Sequence, residues 1–194
     1  AADRNVAVGH SALSSMTSAT TTDRYNTAVG FYAGQAITSA SDNTILGGLA
    51  GDALTTGGQN IAIGRSALST EVEGSRNVAI GHQALKDLNT DSAAYNTAIG
   101  YNAGTLVTTG VDNVLIGGLA GDALTTGNYN IAIGKSALST EDGHGRNIAI
   151  GWQALKDLNA GADAYNVVIG HDAGKFVSSG VLNTIVGGLS GDAL

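Results

Sequence analysis

An asparagine followed four positions later by a glycine recurs eleven times along the chain. The asparagines are Asn5, Asn26, Asn43, Asn60, Asn77, Asn96, Asn113, Asn130, Asn147, Asn166 and Asn183, and the glycines are Gly9, Gly30, Gly47, Gly64, Gly81, Gly100, Gly117, Gly134, Gly151, Gly170 and Gly187. Successive asparagines are 21, 17, 17, 17, 19, 17, 17, 17, 19 and 17 residues apart. Seven positions after the asparagine stands alanine in ten copies and Ser190 in the last. A unit this short cannot bury a core alone, so the pattern restricts residues 1–194 to a single repeat domain of eleven coils stacked on one another.

A longer period is laid over the short one. GGLAGDALTTG at 47–57 returns unchanged at 117–127, and NIAIGRSALSTE at 60–71 returns as NIAIGKSALSTE at 130–141. The shift is 70 residues, the sum of one 17/17/17/19 cassette. The first interval departs from the rule and predicts a longer excursion around Met16 to Thr22, and residues 1–4 read as part of an incomplete preceding coil.

Seventeen residues are too few for a pair of packed helices, and the leucine spacing of a leucine-rich repeat is missing. The apolar pieces are short, β-branched and bounded by glycine, which favours strands. Each coil is therefore predicted to hold a strand such as 60–63, a turn at Gly64, a second short segment around Ala67 and Leu68, and a return loop. Glycine at the corner supplies a positive φ or room for a tight approach. Stacked coils pair their backbones at about 4.8 Å, which makes eleven of them a body roughly 50 Å long. The asparagine amide donates and accepts, so its column is expected to form a hydrogen-bond ladder.

Two positions after the asparagine the residue is Ala7, Ala28, Ile45, Ala62, Ala79, Ala98, Leu115, Ala132, Ala149, Val168 or Ile185, and the next is always Val, Leu or Ile. Neighbours in a strand point to opposite faces, so both faces need cover. One is expected to fill the roll and the other to meet a neighbouring chain, with the alanines allowing close approach. A parallel homo-oligomer, preferably a trimer, follows; a wide monomeric solenoid is the alternative.

NVAVGHSAL at 5–13, NTAVGFYAG at 26–34, NIAIGRSAL at 60–68 and NTAIGYNAG at 96–104 resemble the head repeats of trimeric autotransporter adhesins and similar repeats of bacteriophage tail fibres. For an adhesin head the resemblance implies a left-handed parallel β-roll, trimeric, projecting from a surface and binding host molecules. For a tail fibre it implies an elongated attachment or structural segment. Asn60, Ala62, Ile63, Gly64 and Ala67 match the scaffold motif, and none is carried over as catalytic. The 17-residue unit is longer than the tight adhesin rung, and two larger loops occur near 86–95 and 156–165. No stalk, membrane anchor or self-processing chaperone accompanies the repeats, so a piece of a larger fibre is expected.

Composition closes off other classes. There is no Cys or Pro, which removes disulfide staples, thiolate metal sites and proline-rich linkers. Nine Lys and Arg against 16 Asp and Glu give a net charge of -7, with no basic cluster to track a nucleic acid or an anionic membrane. No run of 18 apolar residues or signal-type leader is present, so neither membrane insertion nor a leader is predicted and the chain is expected to be soluble.

Chemical motifs are weak. GGLAGDALTTG lacks the Lys-Ser/Thr ending of a phosphate loop, and no serine elbow occurs. Asp52, Asp122 and Asp192 recur at four-coil spacing, about 19 Å, and read as solvated loop carboxylates, with cation binding across an oligomer axis as the alternative. Threonine after the asparagine is intermittent (Thr27, Thr44, Thr97, Thr184), too sparse for an ice-binding array. The position after the turn glycine varies most: His10, His82 and His171 alternate with Phe31, Arg65, Tyr101, Lys135 and Trp152. Such mixed identities disfavour a metal cluster. Tyr101, Trp152 and His171 are the candidate surface-binding residues. Tyr25, Tyr95 and Tyr165, just before the asparagine, read as packing caps or as stacking platforms. The expected function is a non-enzymatic, elongated attachment module without cofactor or metal, extracellular on a virion fibre or on a bacterial surface, meeting a host-surface glycan or protein. A structural spacer with no ligand is the competing class.

Overall fold

The computed structural model describes residues 4–17 and 23–191, so Asp192 and most of the excursion expected at 16–22 lie outside the described residues. The described regular structure is all β, in eleven strands of three residues: β1 Val6–Val8, β2 Thr27–Val29, β3 Thr44–Leu46, β4 Ile61–Ile63, β5 Val78–Ile80, β6 Thr97–Ile99, β7 Val114–Ile116, β8 Ile131–Ile133, β9 Ile148–Ile150, β10 Val167–Ile169 and β11 Thr184–Val186. They lie side by side in chain order in one sheet. Every pair is parallel and in register, as with Ala62 opposite Ala79 and Ile63 opposite Ile80. Each passage between strands is thus one turn of a β-solenoid, and each rung starts at its asparagine.

The corner after each strand is where the backbone is most constrained. Gly117 has φ +133°, and a Cβ there would sit 2.6 Å from the carbonyl oxygen of Gly134 one rung on. Only glycine allows that approach. The chain then zigzags through left-handed residues that are not glycine: Ser66 and Leu68 both have φ 54°, and Tyr95 before its asparagine has φ 52°. Such φ values are uncommon for side-chain-bearing residues and persist only where surrounding contacts fix them. Here the fixing contacts run between rungs, as in Ser66 N–H to Gly48 O at 3.0 Å and Leu68 N–H to Ala84 O at 3.0 Å.

The interior corrects the facing expected of the alanines. Ala28, Ala62, Ala98, Ala132 and Ala149, the middle strand residues, are fully buried inside the single chain and do not face a neighbour. In the rungs of Ala62, Ala79, Ala132 and Ala149 the turn segment supplies Leu68, Leu85, Leu138 and Leu155 to the same buried cluster, which leaves room for only a small strand residue. The two positions trade volume. Where the strand supplies Leu115, the turn residues are Gly104 and Gly121, whose added Cβ atoms would come within 2.6 and 2.7 Å of Leu115. Ile45 is matched in the same way by Gly34 and Gly51. Burying one such Leu or Ile side chain contributes about 1.5–3 kcal/mol, which gives this trade energetic weight.

The first and third residues of every strand face outward. They form two adjacent columns of Val, Ile, Leu and Thr, from Val6 and Val8 through Ile131 and Ile133 to Thr184 and Val186. The inner of the three residues is buried in all strands from β2 to β11, while the outer two stay partly or fully exposed. No helix among the described residues is long and apolar enough to cross a membrane.

Candidate functional site

The asparagine column lies along one inner edge. Nine of its members, from Asn26 to Asn166, are buried. Each Oδ1 accepts the backbone N–H of the next asparagine, at 2.8 Å from Asn26 to Asn5, 2.9 Å from Asn130 to Asn113 and 2.9 Å from Asn183 to Asn166. In most rungs the side-chain amide donates to the loop carbonyl fourteen residues on, as Asn60 does to Gly74 (3.0 Å) and Asn96 to Gly110 (2.7 Å), whereas Asn77 and Asn147 donate to the carbonyl two residues before, at 3.3 and 3.2 Å. Buried amide groups are thereby paired at both ends, and the rung height is locked. This column is scaffold; from Asn26 to Asn166 its side chains are buried and have no face toward solvent on which to act.

Past the corner glycine runs a second column, which carries the chemical variety. In order along the roll it reads His10, Phe31, Gly48, Arg65, His82, Tyr101, Gly118, Lys135, Trp152, His171 and Gly188. Rings on adjacent rungs stack: His10 on Phe31 with centroids 5.5 Å apart, His82 on Tyr101 at 5.4 Å and Trp152 on His171 at 4.7 Å. The 4.7–4.9 Å rise of a parallel ladder imposes these separations, which fall in the range that favours aromatic pairs. Tyr101 is 58 % exposed and Trp152 39 %. Lys175 Nζ lies 5.6 Å over the Trp152 ring and pairs with Asp172 at 3.4 Å.

The structure therefore joins Trp152 to His171 but leaves Tyr101 three rungs away, about 14 Å along the axis, partnered by His82. The three residues do not form one contiguous patch. They belong to separate stacks in one column.

The cations of the column stand out. Among the described Lys and Arg side chains, Arg65 and Lys135 alone make no ion pair, side-chain hydrogen bond or ring contact. The others are engaged, for example Arg76 with Gln59 and Tyr95, Lys86 with Asp87 at 3.0 Å, and Arg146 with Asp163. Position in the repeat was legible for Arg65 and Lys135, whereas their lack of partners appears only in three dimensions.

Tyr25, Tyr95 and Tyr165 are half-exposed and do not cap a coil edge by burial. Each lies under an arginine of the preceding rung: Arg4 over Tyr25, Arg76 over Tyr95 and Arg146 over Tyr165, at 5.4–5.6 Å. The Arg76 guanidinium also donates to the Tyr95 hydroxyl at 2.9 Å. These rings already have cationic partners.

The acidic groups divide by environment. Asp52 and Asp122 are half-buried, each with one carboxylate oxygen lacking a partner among the described residues, which corrects the reading of them as solvated. Burial pushes both carboxyls above the usual carboxylate range, opposed by a backbone hydrogen bond. Glu71 and Glu141 were not singled out by the sequence and are fully buried. The Glu71 carboxylate accepts from the backbone N–H groups of Val72, Gly74 and Thr90 and from the Thr90 hydroxyl, at 2.8–3.2 Å. Glu141 accepts from the N–H groups of His144 and Ala160. Each carboxylate ties its own loop to the enlarged loop of the next rung.

Glu141, Asp142 and His144 bring potential metal-ligating atoms within 4.8 Å of one another. The Glu141 oxygens are already occupied by those N–H groups, and the other cassette has Val72 and Gly74 where Asp142 and His144 stand. Loop closure explains the cluster without an ion. A hollow lined by Val177, Ser178, Ser179, Gly180 and Asn183 opens over the last described coil and contains no acid–base pair.

Comparison with protein-family models, with curated proteins and with solved structures finds no match to this chain, and the functional reading rests on the geometry itself.

Proposed function

We propose that the chain is a non-enzymatic, elongated attachment module: a left-handed roll assembled as a homotrimer, forming part of an extracellular viral tail fibre and meeting a host-surface receptor or glycan. The observation that carries this reading is the ring-and-cation column held at fixed spacing on a ladder of in-register rungs. A rigid scaffold with exposed, chemically varied side chains suits recognition, because little conformational entropy is lost when a partner is engaged. Against catalysis, Asp52 and Asp122 recur at four-rung spacing, about 19 Å, beyond the separation of carboxylates that act together on one glycosidic bond. A bacterial adhesin head rests on the same geometry and differs only in owner.

The trimer is supported by the outward columns. An apolar strip about 50 Å long and two side chains wide exceeds what monomeric proteins ordinarily leave in water, and two further copies with the same strip would cover it. Light scattering after size separation should give three times the 19.3 kDa chain mass. The assembled protein should bind a component of a glycan or cell-surface panel, with affinity lowered by Trp152→Ala while mass and melting stay near wild type. An assembled trimer that binds nothing on either panel replaces the attachment module with a structural spacer.

A further inference from the structure

The column past the corner is interrupted in the same way in both cassettes. Phe31 is followed one rung on by Gly48 and two rungs on by Arg65; Tyr101 is followed by Gly118 and then Lys135. The glycine of each interruption is not required by the backbone. Gly47 and Gly117 take the positive φ and the close carbonyl contact, whereas Gly48 and Gly118 have no left-handed φ, and an added Cβ would meet nothing nearer than 3.9 Å. A side chain would fit at both positions and is missing from both. Elsewhere in the column adjacent rungs fill the same place with stacked rings, such as His82 on Tyr101.

The result is a notch with an aromatic ring on one wall, bare backbone as its floor and a cation on the other wall. The walls are two rungs apart, about 9.5 Å, which leaves room for one ring stacked at ordinary van der Waals distance. Phe31 and Tyr101 are both more than half exposed although each ring also packs on a neighbour, Phe31 on His10 and Tyr32 and Tyr101 on His82. The cationic wall is Arg65 or Lys135, the two described Lys and Arg side chains without a partner in a chain of net charge -7. The two unpaired cations of an acidic chain thus stand 70 residues apart, each across a gap from an aromatic ring, an arrangement with the chemistry to suit a ring that bears a negative charge.

We infer that the notches over Gly48 and Gly118 are subsites for an acidic pyranose of a surface glycan, a uronic or sialic acid unit. Its C–H face stacks on Phe31 or Tyr101, and its carboxylate pairs with Arg65 or Lys135. The inference rests on the attachment reading and deepens it by naming the ligand class. A nucleobase would satisfy the stacking wall, but one cation per notch and a net charge of -7 oppose a nucleic acid backbone. The notches lie four rungs apart, about 19 Å, so one extended glycan can engage both and gain avidity.

The test uses the assembled protein and immobilised oligosaccharides carrying glucuronic or sialic acid, beside the same oligosaccharides with their carboxyl groups reduced to alcohols. The acidic forms should bind at least about tenfold more tightly than the reduced forms, and added salt should erode the difference. Filling both notches by Gly48→Leu with Gly118→Leu should lower affinity at least about tenfold while melting and assembly mass stay near wild type. Replacing both cations by Arg65→Met with Lys135→Met should remove the preference for the acidic form. Equal binding of acidic and reduced glycans, or unchanged binding by the filled variant, overturns the notch assignment alone. Binding only to neutral glycans or proteins also overturns it and leaves the attachment reading standing. Binding to nothing on either panel removes both.

Discussion

Asn147 bonds to Asn130 twice: its backbone N–H and its side-chain amide both reach the Asn130 Oδ1, at 3.1 and 3.3 Å. Asn130 in turn donates its backbone N–H to Asn113 at 2.9 Å and its amide to the His144 carbonyl at 3.2 Å. One residue thus joins three rungs, and its side-chain amide holds one loop closed.

Asn130→Ala should therefore cost about 1–3 kcal/mol, because the N–H of Asn147 and the carbonyl of His144 lose their partner inside the roll. Asn130→Leu should cost more, since it adds volume without restoring a donor. Denaturant melts and amide exchange at Asn147 measure both effects. Unchanged exchange there means that backbone pairing alone sets the rung height.

Gly117 and Gly118 are neighbours with opposite demands. Gly117→Ala places a Cβ 2.6 Å from the Gly134 carbonyl at φ +133° and should lower the melting point by several degrees, equivalent to at least about 1 kcal/mol. Gly118→Ala should stay within about 0.5 kcal/mol. Parallel thermal melts of the two variants separate a backbone requirement from a gap.

How much of this was visible beforehand depends on whether a residue acts within its own rung or across rungs. The asparagine and corner glycine repeat in every unit because stacking translates one unit onto the next, so spacing alone exposed the parallel solenoid. The direction of the alternation was not legible. Ala62 can face inward as a small residue where Leu68 fills the interior, a relation between a strand and a turn that periodicity does not encode. Left-handed Ser66 and Leu68 carry no compositional sign, unlike glycine, since their φ is imposed by bonds to other rungs. Nothing in the spacing of Glu71 marks it as buried, because its role depends on the N–H groups of Gly74 and Thr90 converging on it from two rungs. For the candidate site, the variable column was legible, but its division into stacks, gaps and unpaired cations was not.

Glu71→Gln should destabilise the roll by about 1–3 kcal/mol, despite near-identical shape. The carboxylate offers only acceptors to Val72, Gly74 and Thr90, and an amide would turn one donor group against those N–H groups. Denaturation of Glu71→Gln beside Glu73→Gln, whose side chain is exposed, tests the assignment.

The half-buried Asp52 and Asp122 predict an unusual pH response. Their folded pKa values are raised, so between the unfolded value near 3.9 and the folded value the native state holds more protons than the unfolded state. Stability from these groups is therefore lost as pH rises through the folded pKa and regained on acidification toward pH 4. Asp122→Asn should melt higher than wild type at pH 7, with the advantage shrinking toward pH 4. Identical pH profiles for the two proteins would show that solvent relieves the buried carboxylate.

Ala132 and Ile133 are adjacent in β8 and point to opposite sides, which separates folding from assembly in one experiment. Ala132 is fully buried against the turn leucines, so Ala132→Phe overpacks each chain and should cost about 1–3 kcal/mol. Ile133 lies in the outward column, half-exposed on the single chain. A charge there has access to water in the monomer and should leave the isolated roll near its wild-type stability. In an assembly that covers the strip, the same charge is desolvated once per copy, without an opposite charge from the apolar columns to pair with it. Ile133→Asp should thus retain β-type circular dichroism while its scattering mass falls from three chains toward one. A wild-type protein of single-chain mass, or an Ile133→Asp variant that assembles as wild type does, would mean that the outward columns are not the contact between copies.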